Sequence, residues 1–206
     1  MTKQQKIQRK RISKHPDVRR EELLQTASTL FKDKGIAATG VGDITDRAMV
    51  ARGTFYLYFS SKDEVVAELW KRYVQGFLST THDMTDPDLQ ETGTCDNILS
   101  FLAHLTQHAL ANAHLHRLVY GTADAPALAL CKQSDELILA KLTGMIEAYN
   151  RREKQESRNA DLQASLIFHG IDGALHQAIM PGVPIDQNAF LAEVKGLTLG
   201  VLGKTA

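Results

Sequence analysis

The stretch from Thr39 to Lys62, TGVGDITDRAMVARGTFYLYFSSK, constrains the fold more than any other part of the chain. It holds two short apolar-periodic segments separated by too few residues to be independent helices. In the first, Val41, Ile44 and Ala48 recur at i, i+3 and i+7 and share one helical face. Met49, Val50 and Ala51 fall in the turn, and a second helix is predicted from about Arg52, with Phe55 and Phe59 one turn apart and pointing inward. Arg52 and Tyr56 share a different face. A short helix clamped on its apolar side, and offering Arg, Thr, Tyr and a bare Gly on the other, is shaped to lie in a DNA major groove. The pattern predicts a helix-turn-helix.

The flanking segments read as its supports. Asp17 is a candidate N-cap, with Glu21 and Glu22 near the positive end of the helix dipole. Leu23, Leu24, Ala27, Leu30 and Phe31 form a buried stripe, and Gly35 followed by Ile36 predicts a left-handed C-terminal cap, giving a helix over 17–34. Beyond the turn, Ser60 or Ser61 caps a long helix with Asp63 and Glu64 in its first turn. Its apolar stripe, from Val65 and Trp70 to Leu78, carries it to about residue 80. One end touches the predicted reading head and the other enters the rest of the chain, so it is the natural lever.

Taken with ELLQTASTLFKDKGIAATG before it and TFYLYFSSKDEVVAELW after it, this region resembles the DNA-binding domain of the TetR family of transcriptional regulators. The resemblance covers roughly residues 20 to 70 and rests on LF..KG...T, on D-I-.-.-.-A, and on the R-G-T-F-Y-.-Y-F-.-S-K-D-E run. It implies DNA contacts at Thr39, Ala51, Arg52, Gly53, Thr54, Tyr56, Tyr58 and Lys62. Arg52 can bond guanine O6 and N7 or a phosphate, and Thr54 can offer a hydroxyl to a base or a methyl group to thymine. Gly53 lets backbones come close, while Tyr56, Tyr58 and Lys62 suit phosphates. The chain departs from the family pattern at Gly40, where a Thr or Ser commonly caps the second helix, and at Met49, where a Gly is usual. If that position needs positive φ, Met49 is strained. Leu57 replaces a residue that is often polar.

Net charge is zero, but the zero conceals an asymmetry. Residues 1–72 carry 15 Lys and Arg against 9 Asp and Glu, and the remainder carries the reverse excess. A basic first third joined to an acidic remainder suits a protein that presents one end to phosphates. Residues 1–15 hold six Lys and Arg and no acid. They read as a basic disordered arm, either simply solvated or adding phosphate and minor-groove contacts through Arg9 or Arg11.

The rest of the chain is predicted to be all helical, at about 95–111, 113–120, 125–152, 160–179 and 187–202, after a polar linker over 81–94. The expected fold is therefore all-α with about nine helices: the arm 1–15, a three-helix head over 16–62, and a larger helical domain over 63–206. On the 125–152 helix the apolar residues Leu128, Leu130, Leu137, Leu139, Leu142, Met145, Ile146 and Tyr149 are the expected stripe. The last two helices carry apolar residues on more than one face with glycines interleaved, so most of their circumference should be covered. They form either an internal hairpin or, as the resemblance implies, a four-helix bundle with a second copy.

A pocket in this domain would draw on Trp70, Phe101, His104, Leu105, His108, Tyr120, Met145, Tyr149 and Phe168. His104 and His108 have an i, i+4 spacing that can bind zinc, but no acid or thiol completes a site at recognisable spacing, and partly buried histidines lining a pocket are the expectation. Cys95 and Cys131 form no metal or redox spacing. There is no phosphate loop, nucleophile motif or catalytic carboxylate pair, so no enzyme and no cofactor are expected. No apolar run spans a membrane, and the start lacks a secretory signal, which points to the cytoplasm. The resemblance implies a homodimeric repressor that a small molecule releases from a double-stranded DNA operator. The alternatives are a helical small-molecule-binding protein or enzyme with an accessory DNA-binding head, or a DNA-binding activator.

Overall fold

Helical periodicity governs the structure as it does the sequence. The computed structural model describes residues 15–81, 93–123, 125–155 and 157–204, and among these it holds nine α-helices and no strand. α1 (Pro16–Lys34), α2 (Val41–Arg47) and α3 (Arg52–Tyr56) form the N-terminal head, and α4 (Lys62–Thr80) leaves it. α5 (Cys95–Ala111), α6 (Ala113–Thr122), α7 (Ala125–Arg152), α8 (Ala160–Ile179) and α9 (Gln187–Leu202) build the larger body. The fold is all-α, a helix-turn-helix head on a helical body. The predicted basic arm except His15, and most of the predicted linker, lie outside the described residues.

Two caps differ from expectation. α1 is preceded by His15 and starts with Pro16, which leaves Asp17 in the first turn. Proline has no N–H to satisfy and its fixed φ suits the first helical position, so it sets the start more firmly than an acid two residues in. At Gly35 the φ of 85° is positive as predicted, but the ψ of 162° is extended rather than left-handed helical. That geometry swings the chain back so that Ile36 enters the core at 2% exposure. Ser61, not Ser60, caps α4 by accepting from the Glu64 N–H at 3.2 Å, and the Glu64 carboxylate reaches back to the Ser60 N–H. α5, α8 and α9 are capped by the side chains of Thr94, Asn159 and Asp186.

α4 buries Val65, Val66, Trp70, Val74 and Phe77 and packs most extensively on α7. On α7 the buried face runs through Ala127, Cys131, Ser134, Ile138, Leu142, Ile146 and Tyr149, while Leu137 is turned outward. The expected leucine stripe is thus rotated. Small side chains at 127, 131 and 134 let a neighbouring helix approach closely, and close packing outweighs the burial of one further leucine.

α8 and α9 each have an inner stripe and an outer one. Ile167, Phe168, Ile171, Leu175 and Ile179 of α8, with Val194, Leu199 and Leu202 of α9, are in the core. Leu162, Leu166 and Leu197 are 56%, 54% and 40% exposed. Arg158 holds the end of α9 by donating to the carbonyls of Leu202 at 2.7 Å and Val201 at 2.6 Å, the orphan acceptors of a helix C-terminus.

Candidate nucleic-acid interface and internal polar core

α3 is only five residues long, so its position comes from its neighbours rather than from its own stability. Phe55 and Phe59 are buried against each other, with ring centroids 5.7 Å apart. The other side presents Arg52, Gly53 and Tyr56 to solvent, with Ala51 exposed at the N-cap and Thr54 and Tyr58 half-buried. Arg52 makes no ion pair among the described residues. A methyl group added to Gly53 would meet nothing within 4 Å, so nothing inside the chain requires glycine there.

The turn carries the strain anticipated for it. Met49 has φ of 54° and is 88% exposed, while the Val50 N–H donates to the Thr45 carbonyl at 2.9 Å and closes the turn. A non-glycine residue in this region is uncommon and costs energy. Leu57, immediately after α3, is 79% exposed. The head therefore displays two large apolar side chains, Met49 and Leu57, beside the polar face of α3.

Thr39 and Lys62 stand apart from the other residues named as contacts. Thr39 is buried, with its hydroxyl donating to the Gly35 carbonyl at 2.7 Å, and the Lys62 ammonium donates to the Ile36 carbonyl at 2.8 Å. Both brace the α1–α2 connection, and Lys62 ties it to the start of α4.

A second set of contacts joins α1 to α4. Arg20 pairs with Glu68 at 3.1 Å, and Arg72 pairs with Glu21 at 2.7 Å and with Glu68 at 3.3 Å. The Arg20 guanidinium also lies 4.9 Å from the centre of the Phe59 ring. Burial pushes the Glu68 carboxyl up, but Arg20 and Arg72 outweigh it and hold the group below the usual range. The hydrogen bond from Gln25, then Arg72, does the same for Glu21. A rotation of α4 must strain this network and the packing beneath α3.

Further along α4 lies a polar core. The indole N–H of Trp70 donates to Asp135 of α7 at 2.8 Å. The Tyr73 hydroxyl and His116 Nε2 are 2.8 Å apart, His116 Nδ1 and His176 Nε2 are 3.2 Å apart, and His176 Nδ1 lies 3.4 Å from Asp172. The Tyr120 ring packs on His176, and His108 stacks on Tyr73. Burial, together with the neighbouring His176, pushes His116 down to about 3, so it is neutral near pH 7. Burial raises Asp135 to about 6 despite its bond from Trp70, with Asp172 adding to the rise and His176 and Lys132 opposing it.

Trp70, Tyr73, Leu105, His116, Asp135, Phe168 and Asp172 are among the walls of a cavity of about 20 Å³, room for a single water. Of the residues named from sequence for a pocket, Trp70, Leu105 and Phe168 line this cavity, with Tyr120 and His108 adjoining it. Phe101 is buried against Phe77. His104 is exposed, with its ring on the Ser100 carbonyl. Met145 lines a separate surface cleft beside Thr94 and Asn97, and Tyr149 is buried beside Lys204. Tyr73, Asp135 and Asp172 were not anticipated. The signal was present at Asp135, which stands four residues after Cys131 and three before Ile138, an acid in phase with a buried stripe.

Residues 23–69 match the family described as bacterial regulatory proteins, tetR family, a span that contains the whole of the reading head from Thr39 to Lys62. The head is thus similar to the DNA-binding domain of the tetR family. Among curated relatives, the transcriptional repressor KstR2 of Mycolicibacterium smegmatis is 38% identical over 71 residues, 34% of this chain and 35% of that protein. The transcriptional activator FasR of the same organism is 41% identical over 63 residues, 31% and 29% of the two chains. The chain thus spans about a third of the length of these relatives. The likeness in fold extends further: the transcriptional regulator FadR from Bacillus subtilis, solved with stearoyl-CoA, superposes with a TM-score of 0.68 over 88% of this chain and 98% of its own, at 18% identity. Such relatives are transcriptional regulators, and none of these three is described as an enzyme. Trp70, Asp135, His116, Asp172 and His176 all fall outside the matched head. Among the described residues there is no group of three or more His, Cys, Asp or Glu that could hold a metal, and no helix long and apolar enough to cross a membrane.

Proposed function

We propose that the protein is a homodimeric, operator-binding transcriptional repressor that a small-molecule effector releases from DNA. The observation that carries this reading is α3. Its buried Phe55 and Phe59 fix it in place, while Arg52 and Gly53 are exposed, Arg52 with no ion pair among the described residues, and Tyr56 is half exposed with its ring edge-on to Phe55 at 5.4 Å. In this reading Arg52 and Thr54 meet base edges, Ala51 and Gly53 allow close approach, and Tyr56 and Tyr58 meet phosphates. Thr39 and Lys62 reach phosphates only by exchanging the internal bonds described above.

The outer stripe of Leu162, Leu166 and Leu197 supports pairing of α8 and α9 with a second copy, which would set two heads against successive major grooves about 34 to 36 Å apart. An effector in the cavity walled by Trp70, Leu105 and Phe168 would press on α4 and change that spacing. A hundredfold preference for the spread state is worth about 2.7 kcal/mol, within the usual range of allosteric couplings. Because the cavity holds only a water as it stands, the effector must open it, and an effector that leaves α4 unmoved would not act.

A second reading, as an activator, is favoured by the similarity of the same head to FasR. Transcription from a promoter carrying the selected site, with and without the protein, separates the two. The DNA itself is found by selecting bound duplexes from random sequence with the full chain. Arg52→Ala is then expected to lose roughly 1 to 3 kcal/mol of specific affinity and little non-specific affinity. Equal loss of both would overturn base reading by Arg52.

A further inference from the structure

The walls of the cavity beside α4 carry a charge that its size does not suggest. Asp135 and Asp172 contribute carboxylates, Trp70, Tyr73 and His116 contribute rings, and no lysine or arginine lines it. His116 adds no compensating charge near neutral pH, being held in its neutral form by burial. Asp135 has the Trp70 indole as its hydrogen-bond donor and no cation on it, with Lys132 exposed on the next turn of surface. A carboxylate sunk in aromatic walls with one neutral donor is poorly compensated, and the group that would compensate it best is a positive charge. Aromatic faces attract the same kind of ligand. They offer nothing to an anion, which the two carboxylates would repel.

We infer that the effector is an organic cation, an amine or quaternary ammonium whose head enters between Trp70 and Asp135 with Asp172 at the second side. This rests on the regulator reading above and names the chemical class of its effector. Asp172, a wall residue whose side chain is 30% exposed, lies 3.4 Å from His176 and gives a cation a side from which to approach. A cation arriving there takes Asp172 from His176, then reaches Asp135. Because Trp70 is both a wall and the donor to Asp135, occupancy acts directly on α4. An acyl-CoA thioester, with its run of phosphates, is the ligand this lining is least suited to hold.

Trp70 is the only tryptophan in the chain, so its fluorescence reports the site without DNA. The full-length protein is titrated with choline, with dimethylbutanol as choline's uncharged carbon isostere, and with stearoyl-CoA. A saturable change with choline at concentrations roughly tenfold or more below those needed for the alcohol is expected, and tenfold corresponds to about 1.4 kcal/mol. Asp135→Asn keeps an acceptor for the indole but removes the charge, and it should erase the preference for choline. Asp172→Asn, at a half-exposed position, should reduce it, which keeps the test open should the first variant misfold. Equal affinity for choline and the alcohol, tighter binding of stearoyl-CoA, a preference that survives both substitutions, or no saturable change with millimolar choline would each overturn the inference. The readout involves no operator, so failure here leaves the DNA-binding reading intact, and a protein that binds choline but no DNA would sink that reading and not this one.

Discussion

The ion pairs of the head lie at or near its surface, whereas the body buries a histidine and half-buries a carboxylate around its one tryptophan. Arg20, Glu21, Glu68 and Arg72 link α1 to α4 with side chains between 20% and 44% exposed. Partly exposed pairs of this kind contribute little each, so the joint between head and lever can shift without a large loss of stability. His116 and Asp135 are the opposite case, since both are shifted by burial toward their neutral forms. A chain selected only to fold would gain by replacing them with apolar groups. Perturbed groups of this kind concentrate where a protein meets something else. The head exposes the groups proposed to meet DNA and stays braced; the body keeps His116 and Asp135 largely from solvent and stores the cost.

The comparison is tested most severely at the leucines of α8 and α9. Leu175 is buried at 3% exposure and Leu197 is 40% exposed. Leu175→Ala is expected to cost about 2 to 5 kcal/mol in chemical denaturation, the range for a large-to-small change in a packed core. Leu197→Glu should leave the stability of one chain within about 0.5 kcal/mol yet weaken self-association measured by sedimentation. Comparable unfolding by both would mean that the outer stripe is ordinary core. An unchanged oligomeric state in Leu197→Glu would remove this side chain from the dimer interface.

What could be read in advance follows the same division. Helix starts and stops are local chemistry, and Gly35 and Ser61 act within one turn of where they stand, so the helices among the described residues were legible from spacing. The head was legible because Phe55 and Phe59 must be buried and Arg52 and Tyr56 must then face away. The rotation of α7 was not, because whether Leu137 or Ser134 is buried depends on how closely another helix approaches. The polar core was missed for the same reason. Trp70 and Asp135 are 65 residues apart, and His116 and His176 are 60 apart. Phe101, His104 and Tyr149 were plausible for a pocket by type alone, and their neighbours in space, not their type, assign them elsewhere.

Asp135→Asn sharpens the contrast through pH. The folded-state value of about 6 exceeds the ordinary 3.8, so the native state binds the extra proton between those limits. Asp135 therefore favours folding most below about pH 4, and that contribution is lost as pH rises through 6. His116 works the other way, since its folded value of about 3 lies below 6.5 and its contribution is lost as pH falls from 6.5 toward 3. Between about pH 4 and 6 the two slopes oppose. Removing the carboxylate should raise stability at pH 7 by up to about 3 kcal/mol, since each unit is worth about 1.4 kcal/mol, and should make acid destabilisation below pH 6 steeper. Denaturation midpoints at pH 7 and pH 5 check both. A variant less stable than the parent at pH 7 would mean that Asp135 is a structural anchor for Trp70.

The smallest expected effect on stability is the most direct test of what the exposed face of α3 is for. Gly53 sits inside α3 with helical backbone and open space where a methyl group would go. Alanine is favoured over glycine in a helix by roughly 0.5 to 1 kcal/mol, and α3 is short and terminal enough that the lower end is expected. On folding grounds alone, Gly53→Ala should therefore stabilise the free protein slightly. If α3 enters a groove with Gly53 against DNA, the added methyl group has no such room in the complex, and affinity for the selected operator should fall while the melting temperature rises or holds. The opposite signs distinguish a residue kept for a partner from one kept for the fold. A variant with unchanged operator affinity would place Gly53 off the contact surface and confine close approach to its neighbours Arg52 and Thr54.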